Sequence, residues 1–117
     1  MILGNRSFAC REEWEQKRYQ LPHFDRQAIS AQTKKTPQWI HFGAGNIFRA
    51  FLAKVWQDLL EKGVATTGLI VAEGFDYEIV DKTYRPFDDT CVLATLKADG
   101  AIEKTLIASV TESLVLD

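Results

Sequence analysis

The stretch of residues 39–49 constrains the fold of this chain more than any other. A short apolar run meets two glycines, Gly43 and Gly45, and then enters a segment in which apolar residues recur at helical spacing. Gly63 follows that segment as a typical helix terminator. The pattern predicts a strand, a tight turn and a helix of about four turns that begins near Asn46. Glycine suits the turn because the strand must reverse sharply there and because a ligand can then approach the main chain closely.

A second apolar run supports a nucleotide-binding interpretation of this turn. Residues 68–72 form that run, and it ends on Glu73. In dinucleotide-binding βαβ units the diphosphate lies on the N–H groups at the start of the helix, and an acidic residue at the end of the next strand contacts the adenosine ribose. The three-glycine fingerprint is incomplete, since Phe48 stands where the third glycine is expected. The order of turn, helix, strand and acid nevertheless predicts such a unit.

The same residues resemble a known family. Residues 41–51, His-Phe-Gly-Ala-Gly-Asn-Ile-Phe-Arg-Ala-Phe, resemble the N-terminal segment of the mannitol dehydrogenase family. This family of polyol-specific long-chain dehydrogenases includes mannitol-1-phosphate dehydrogenases and the fructuronate and tagaturonate reductases. The lead-in at 21–26 is similar to that of the family, and residues 91–96 and 107–110 look like its strand pair inserted into the cofactor domain.

The resemblance implies an α/β fold: a partial Rossmann-like doubly wound sheet with an inserted antiparallel β-hairpin. It also implies an NAD-dependent oxidoreductase that transfers a hydride between NAD and a polyol, keto-sugar or sugar acid. Family members are several times longer than 117 residues, and their catalytic lysine, asparagine and histidine lie in a C-terminal helical domain. We therefore expect residues 1–36 to form an N-terminal arm and residues 37–117 to form the first portion of the dinucleotide-binding domain. We expect a fragment that contains no catalytic residue and is inactive alone.

Nine residues are the candidate cofactor contacts. They surround the glycine turn or end the second strand: Phe42, Gly43, Ala44, Gly45, Asn46, Ile47, Phe48, Arg49 and Glu73. Arg49 is interpreted either as a phosphate ligand or as a partner in a structural ion pair. Glu73 favours NAD, because its charge would repel a 2′-phosphate and no cation follows it. Two alternatives stay open for this carboxylate, since it could cap the next helix instead, and Asp76 competes for the ribose.

Composition excludes several other functions. The net charge is −2 with acids and bases interspersed, so neither nucleic acid nor an anionic membrane is an expected partner. There is no bilayer-length apolar run and no signal-peptide core, so we expect a cytoplasmic protein. Cys10 and Cys91 are isolated and predict neither a metal site nor a disulfide. His41 is expected to be a half-buried, hydrogen-bonded residue of the first strand and not a catalytic base.

The remaining chain gives weaker patterns. Helical character is predicted for residues 12–19 and 76–84, and a polar connector for 28–36. Strands at 92–97 and 101–109 flank Ala98-Asp99-Gly100, in which Asp-Gly is a strong hairpin signal. Residues 111–113 are interpreted as a turn or loop, with a further strand beginning at Leu114. Two functional alternatives remain at this level: a stand-alone nucleotide-binding or regulatory module without catalysis, and a structural α/β piece that binds nothing.

Overall fold

The computed structural model describes residues 1–117. The helices are α1 (Arg6–Ala9), α2 (Arg11–Gln16), α3 (Arg26–Lys35), α4 (Ala53–Glu61) and α5 (Tyr77–Ile79). The strands are β1 (Tyr19–Gln20), β2 (Ile40–Phe42), β3 (Leu69–Glu73), β4 (Cys91–Leu96), β5 (Ile102–Ile107) and β6 (Val110–Val115). Two π-helical turns, Phe48–Leu52 and Val80–Tyr84, and a 3₁₀ turn, Arg85–Phe87, complete the regular structure. No helix is both long and apolar enough to cross a membrane.

Two three-stranded sheets organise the chain. The first is entirely parallel and has the order β2-β3-β6. The second has the order β1-β5-β4, with β4 and β5 antiparallel and the short β1 parallel to β5. The parallel sheet with its helical crossover, and the antiparallel hairpin inserted before β6, confirm the expected α/β fold class. Because β2, β3 and β6 are parallel, their carboxyl ends share one edge, and the glycine turn lies on that edge.

The βαβ unit predicted from the glycine pattern is present. The helix starts at Asn46, passes through the π turn Phe48–Leu52 and continues as α4. It ends in a Schellman motif: Gly63 has a φ of +73°, its N–H donates to Leu60 O at 3.1 Å, and the N–H of Val64 donates to Leu59 O at 3.0 Å. A left-handed φ at this position is why glycine ends the helix here.

The core lies between the parallel sheet and this helix. Its buried members come from the glycine turn, the helix, β3, the second π turn, β5 and β6: Ala44, Phe48, Ala53, Leu69, Val71, Tyr84, Ile107 and Val110. A smaller cluster holds the N-terminal segment against β5 through Trp14, Leu21, Leu106 and Ala108. The buried side chain of Gln57 joins α4 to the end of β5, since it donates to Leu106 O at 2.9 Å and accepts from Ala108 N, just after the strand, at 2.7 Å.

The predicted connector at residues 28–36 is wrong, because helix α3 occupies most of it. Asp25 caps this helix, its carboxylate accepting a hydrogen bond from the N–H of Ala28 at 3.1 Å. Only Thr33 is buried on the helix, where its hydroxyl accepts from the N–H of Gly68 at 2.8 Å. An apolar stripe is absent because the helix docks through a polar contact, so hydrophobic spacing did not reveal it.

The interpretation of residues 111–113 as a turn is also wrong. β6 runs through them, and Glu112 and Ser113 pair with Ile70 and Val71 of β3. Ser113 is buried and donates its hydroxyl to Asp89 at 2.6 Å. Its polarity is therefore satisfied by a residue distant in sequence, and main-chain pairing with β3 overrides the polar local composition.

The other predicted elements are present with small changes. The hairpin forms with Lys97 N–H donating to Ala101 O at 2.8 Å across the Asp-Gly turn. The N-terminal helical segment is confirmed as α2, with Trp14 buried on its inner face. His41 is half-buried as expected, but its ring stacks on Phe48 at 4.4 Å and makes no hydrogen bond. An aromatic contact thus takes the place of the expected polar one.

Candidate functional site

The glycine turn, residues 43–45, leaves β2 at the carboxyl edge of the parallel sheet. Gly43 has a φ of +110°, which favours glycine, and its N–H donates to Ala72 O of β3 at 2.8 Å. A Cβ built on either Gly43 or Gly45 would meet no atom within 4 Å. The space beside both glycines is therefore open, and a ligand can reach the main chain.

Four successive N–H groups at the start of the helix have no partner within the chain. The first helical bond runs from Arg49 N to Gly45 O at 3.2 Å, and the N–H groups of residues 45–48 donate to no protein atom. Unsatisfied N–H groups at a helix start carry partial positive charge and bind anions. This turn therefore offers an anion-binding site that faces open space.

Ala44 has a different role from its neighbours. It is fully buried, and side chains distant in sequence hold both of its main-chain groups. Its N–H donates to Glu73 Oε1 at 2.7 Å, and its carbonyl accepts from the hydroxyl of Tyr84 at 2.9 Å. The N–H of Ala44 is thus not available to a ligand in this conformation, although it was among the expected main-chain contacts.

Glu73 ends β3 beside the glycine turn. Its second oxygen, Oε2, accepts from the N–H groups of Phe75 at 3.1 Å and Asp76 at 3.2 Å, so it caps the segment that enters α5. The bond from Ala44 holds the pKa of the Glu73 carboxyl below its usual value, while partial desolvation opposes this effect and the N–H groups of residues 74–76 add to it. The capping role weighed from the sequence is present, and the carboxylate also fastens the glycine turn.

This lowered pKa predicts a pH dependence of stability. Because the pKa of Glu73 is lower in the folded than in the unfolded chain, its contribution to stability is full above the unfolded pKa of about 4.3 and is lost as pH falls through the folded value. Urea unfolding between pH 7 and 3 should show wild type more stable than Glu73→Gln at neutral pH, with the difference shrinking as the pH falls. A difference that is constant across this range would contradict this role of the carboxylate.

Arg49 lies beside the free N–H groups. Its guanidinium stands 5.5 Å above the ring of Tyr84, and its Nη2 donates to Asn46 Oδ1. Its Nε is buried without a hydrogen-bond partner, and no carboxylate pairs with the side chain. A hollow of about 190 Å³ opens between Asn46, Arg49 and Ala50 on the helix and residues 91–93 of β4. The structural ion pair considered for Arg49 is absent, and a cation without a counter-charge stands next to the anion-binding amides.

The two phenylalanines and Ile47 lie in contrasting environments. Phe48 is 4% exposed and stacks on His41, so its side chain belongs to the core. The helix widens into the π turn where this bulky residue replaces the third glycine. Phe42 and Ile47 are 68% and 84% exposed and present apolar surface at the open edge. Of these three, only Phe48 is excluded from side-chain contact with a ligand.

The arrangement fits a dinucleotide. Free amides and Arg49 suit a diphosphate, bare glycines allow its approach, and the acidic Glu73 stands at the end of the adjacent strand as required for a ribose. Tyr84 and the Asn46–Arg49 contact were not identified from the sequence. Tyr84 lies 40 residues from Ala44, and nothing local marks that contact. A separate hollow of about 680 Å³, between α1 and α3, shares no lining residue with this site.

The chain has a relative among known proteins. No protein-family model matches the chain. It is 46% identical over 114 residues to the D-mannonate oxidoreductase of Thermotoga maritima, a match that covers 97% of this chain and 21% of the relative. The chain thus spans about a fifth of the length of that relative.

Solved structures show the same fold. A substrate-free D-sorbitol dehydrogenase matches 98% of this chain and 22% of its own, with a TM-score of 0.73 and 21% identity. The mannitol 2-dehydrogenase of Pseudomonas fluorescens, solved with NAD and D-mannitol, matches the same shares with a TM-score of 0.72 and 19% identity. Together, the sequence match and the shared fold support the resemblance of this chain to the N-terminal part of the mannitol dehydrogenase family.

Proposed function

We propose that this chain binds NAD at the glycine turn as the first portion of a dinucleotide-binding domain. The observation that carries the proposal is the row of four free N–H groups, residues 45–48, in a turn whose glycines Gly43 and Gly45 have open space beside them. The diphosphate accepts hydrogen bonds from Gly45, Asn46 and Ile47, and Arg49 neutralises part of its charge. The mannitol 2-dehydrogenase with a similar fold was solved with NAD, which supports this choice of cofactor.

Glu73 selects NAD over the 2′-phosphorylated cofactor. Its carboxylate accepts three N–H bonds and keeps lone-pair capacity for a ribose hydroxyl. A 2′-phosphate at the same place would meet this negative charge, and Gly74, Phe75 and Asp76 supply no cation to offset it. Asp76 makes no side-chain cap to α5 and stays available as a second acceptor.

The whole protein, on this proposal, is an oxidoreductase of carbohydrate metabolism that transfers a hydride between NAD and a polyol, keto-sugar or sugar acid. The relationship to a D-mannonate oxidoreductase favours a sugar acid. The cofactor supplies hydride chemistry, and residues of this chain bind and orient it. Substrate contacts and proton transfer belong to a C-terminal helical domain of the kind that the family carries. We further propose a cytoplasmic protein with neither nucleic acid nor a membrane as partner, supported by the interspersed charges and the two free cysteines.

Binding is tested by titrating NADH against tryptophan emission. Trp39 and Trp56 stack edge to face at 5.1 Å, at the end of β2 opposite to the glycine turn, so energy transfer to the nicotinamide is a suitable readout and direct contact is not. We expect saturable transfer that ADP abolishes by competition, with NADH bound more tightly than NADPH. Transfer that does not saturate, or that NADPH produces equally well, would refute the cofactor assignment.

Turnover separates the dehydrogenase from a regulatory module. The polypeptide that carries this chain together with its downstream sequence should reduce NAD in the presence of D-mannonate, whereas the 117-residue chain alone should not. NADH binding without turnover of D-mannonate, D-mannitol or D-sorbitol would favour the module.

A further inference from the structure

The side chain of Tyr84 hydrogen-bonds to the main chain of the glycine turn. This residue ends the second π turn, Val80–Tyr84, and is 2% exposed. Its hydroxyl donates to Ala44 O at 2.9 Å, and its ring lies beneath the guanidinium of Arg49 at 5.5 Å. Burial raises the pKa of this hydroxyl, so it stays protonated and remains a donor at physiological pH. One buried residue therefore touches two parts of the site.

The contact with Ala44 controls the direction of a free amide. The carbonyl of Ala44 and the N–H of Gly45 belong to the same planar trans peptide unit, in which they point in opposite directions. Holding the carbonyl against Tyr84 in the core therefore aims the Gly45 N–H outward, into the open space beside the glycines. Glu73 holds the preceding peptide unit through Ala44 N. Two adjacent peptide units are thus each held by a side chain that is distant in sequence.

The contact between the Tyr84 ring and Arg49 controls the position of the positive charge of the guanidinium. Since Nε of Arg49 has no hydrogen-bond partner, the guanidinium is held only by Asn46 Oδ1 and by the face of the Tyr84 ring. Cations are attracted to aromatic faces at such distances. The same ring thus places the cation next to the amide row.

From these contacts we infer that Tyr84 is a positioning residue for the diphosphate, which fixes both the Gly45 N–H and the Arg49 guanidinium before the ligand arrives. This inference rests on the proposed function. Preorganised donors bind without the cost of ordering them, so loosening the turn reduces the fraction of chains ready to bind.

Tyr84→Phe tests the hydroxyl while keeping the ring. The backbone order parameter of the Gly45 amide, measured by ¹⁵N relaxation, should fall from about 0.85 to below about 0.6. If the glycine turn then has its binding conformation in about one chain in ten, NADH should bind about tenfold more weakly. Tyr77→Phe is the matched control, since Tyr77 lies on α5, is 42% exposed and makes no side-chain hydrogen bond. It should change neither quantity.

The outcomes are distinguishable. A lower melting temperature with an unchanged Gly45 order parameter and unchanged NADH affinity would show a merely structural tyrosine and overturn the inference. A wild-type chain that does not bind NADH would refute the proposed function, and the order parameter of Gly45 in Tyr84→Phe would still decide whether Tyr84 fixes the turn. Loss of order at Gly45 together with weaker NADH binding confirms both.

Discussion

Replacing Gly45 with serine is expected to weaken NADH binding about a hundredfold while leaving the fold at least as stable. Gly45 does not have a left-handed φ, and a Cβ there would touch nothing in the protein. It is the N-cap of the helix, because its carbonyl accepts the first helical bond, and serine is a better N-cap than glycine. The protein itself therefore does not require glycine at this position.

Binding of the diphosphate, by contrast, does require glycine at position 45. The new Cβ would occupy the approach of the diphosphate, and the serine hydroxyl would accept the N–H bond from Ile47 that the phosphate needs. Losing two charge-assisted bonds of about 1.5 kcal/mol each corresponds to the expected hundredfold loss. NADH titration and urea unfolding of the same sample measure both effects.

Gly43→Ser provides the contrast. With a φ of +110° at this position, a side chain should cost about 1–3 kcal/mol of folding free energy. Equal stability losses in both variants, or full NADH affinity in Gly45→Ser, would show that the diphosphate does not lie against this residue.

Replacing Arg26 with methionine is expected to lower the free energy of unfolding by about 3 kcal/mol. The guanidinium donates to Ala108 O at 3.2 Å, to Asp88 O at 2.6 Å and to Val110 O at 2.8 Å. It thereby ties the start of α3 to the amino end of β6. Methionine keeps much of the length of the side chain but leaves these carbonyl oxygens without a donor.

Lys34→Met is the matched control for this change. Lys34 lies near the other end of α3, is exposed and takes part in no ion pair, so its replacement should stay within about 0.5 kcal/mol of wild type. Urea unfolding monitored by far-ultraviolet circular dichroism measures both variants. A change in Arg26→Met no larger than that in Lys34→Met would show that the N-terminal segment does not depend on this residue.

The parts of the fold that could be predicted from the sequence are those encoded locally. Gly43 marks the turn before the crossover helix and Gly63 marks the end of that helix, both by conformations that glycine favours, and Asp99-Gly100 marks the hairpin turn. Strand β3 is a continuous buried run, as expected for a central parallel strand. Such signals lie within a few residues of the structure that they specify.

The parts that could not be predicted depend on contacts between distant residues. Helix α3 docks through Thr33 and Arg26 and has no apolar stripe, and β6 is a strand because β3 pairs with it. At the site, local patterns indicated the glycine turn and Glu73. The bonds that fix Ala44 span 29 and 40 residues, so neither the use of its N–H by Glu73 nor the role of Tyr84 was visible.

The position of the diphosphate is tested most directly by NADH titration of the ¹⁵N-labelled chain, followed through its amide chemical shifts. The account predicts that the largest shifts fall on Gly45, Asn46 and Ile47, three of the four amides at the start of the helix that have no partner within the chain. Shifts confined to the hollow between α1 and α3, or amides of residues 45–47 that stay unchanged at saturating NADH, would contradict it.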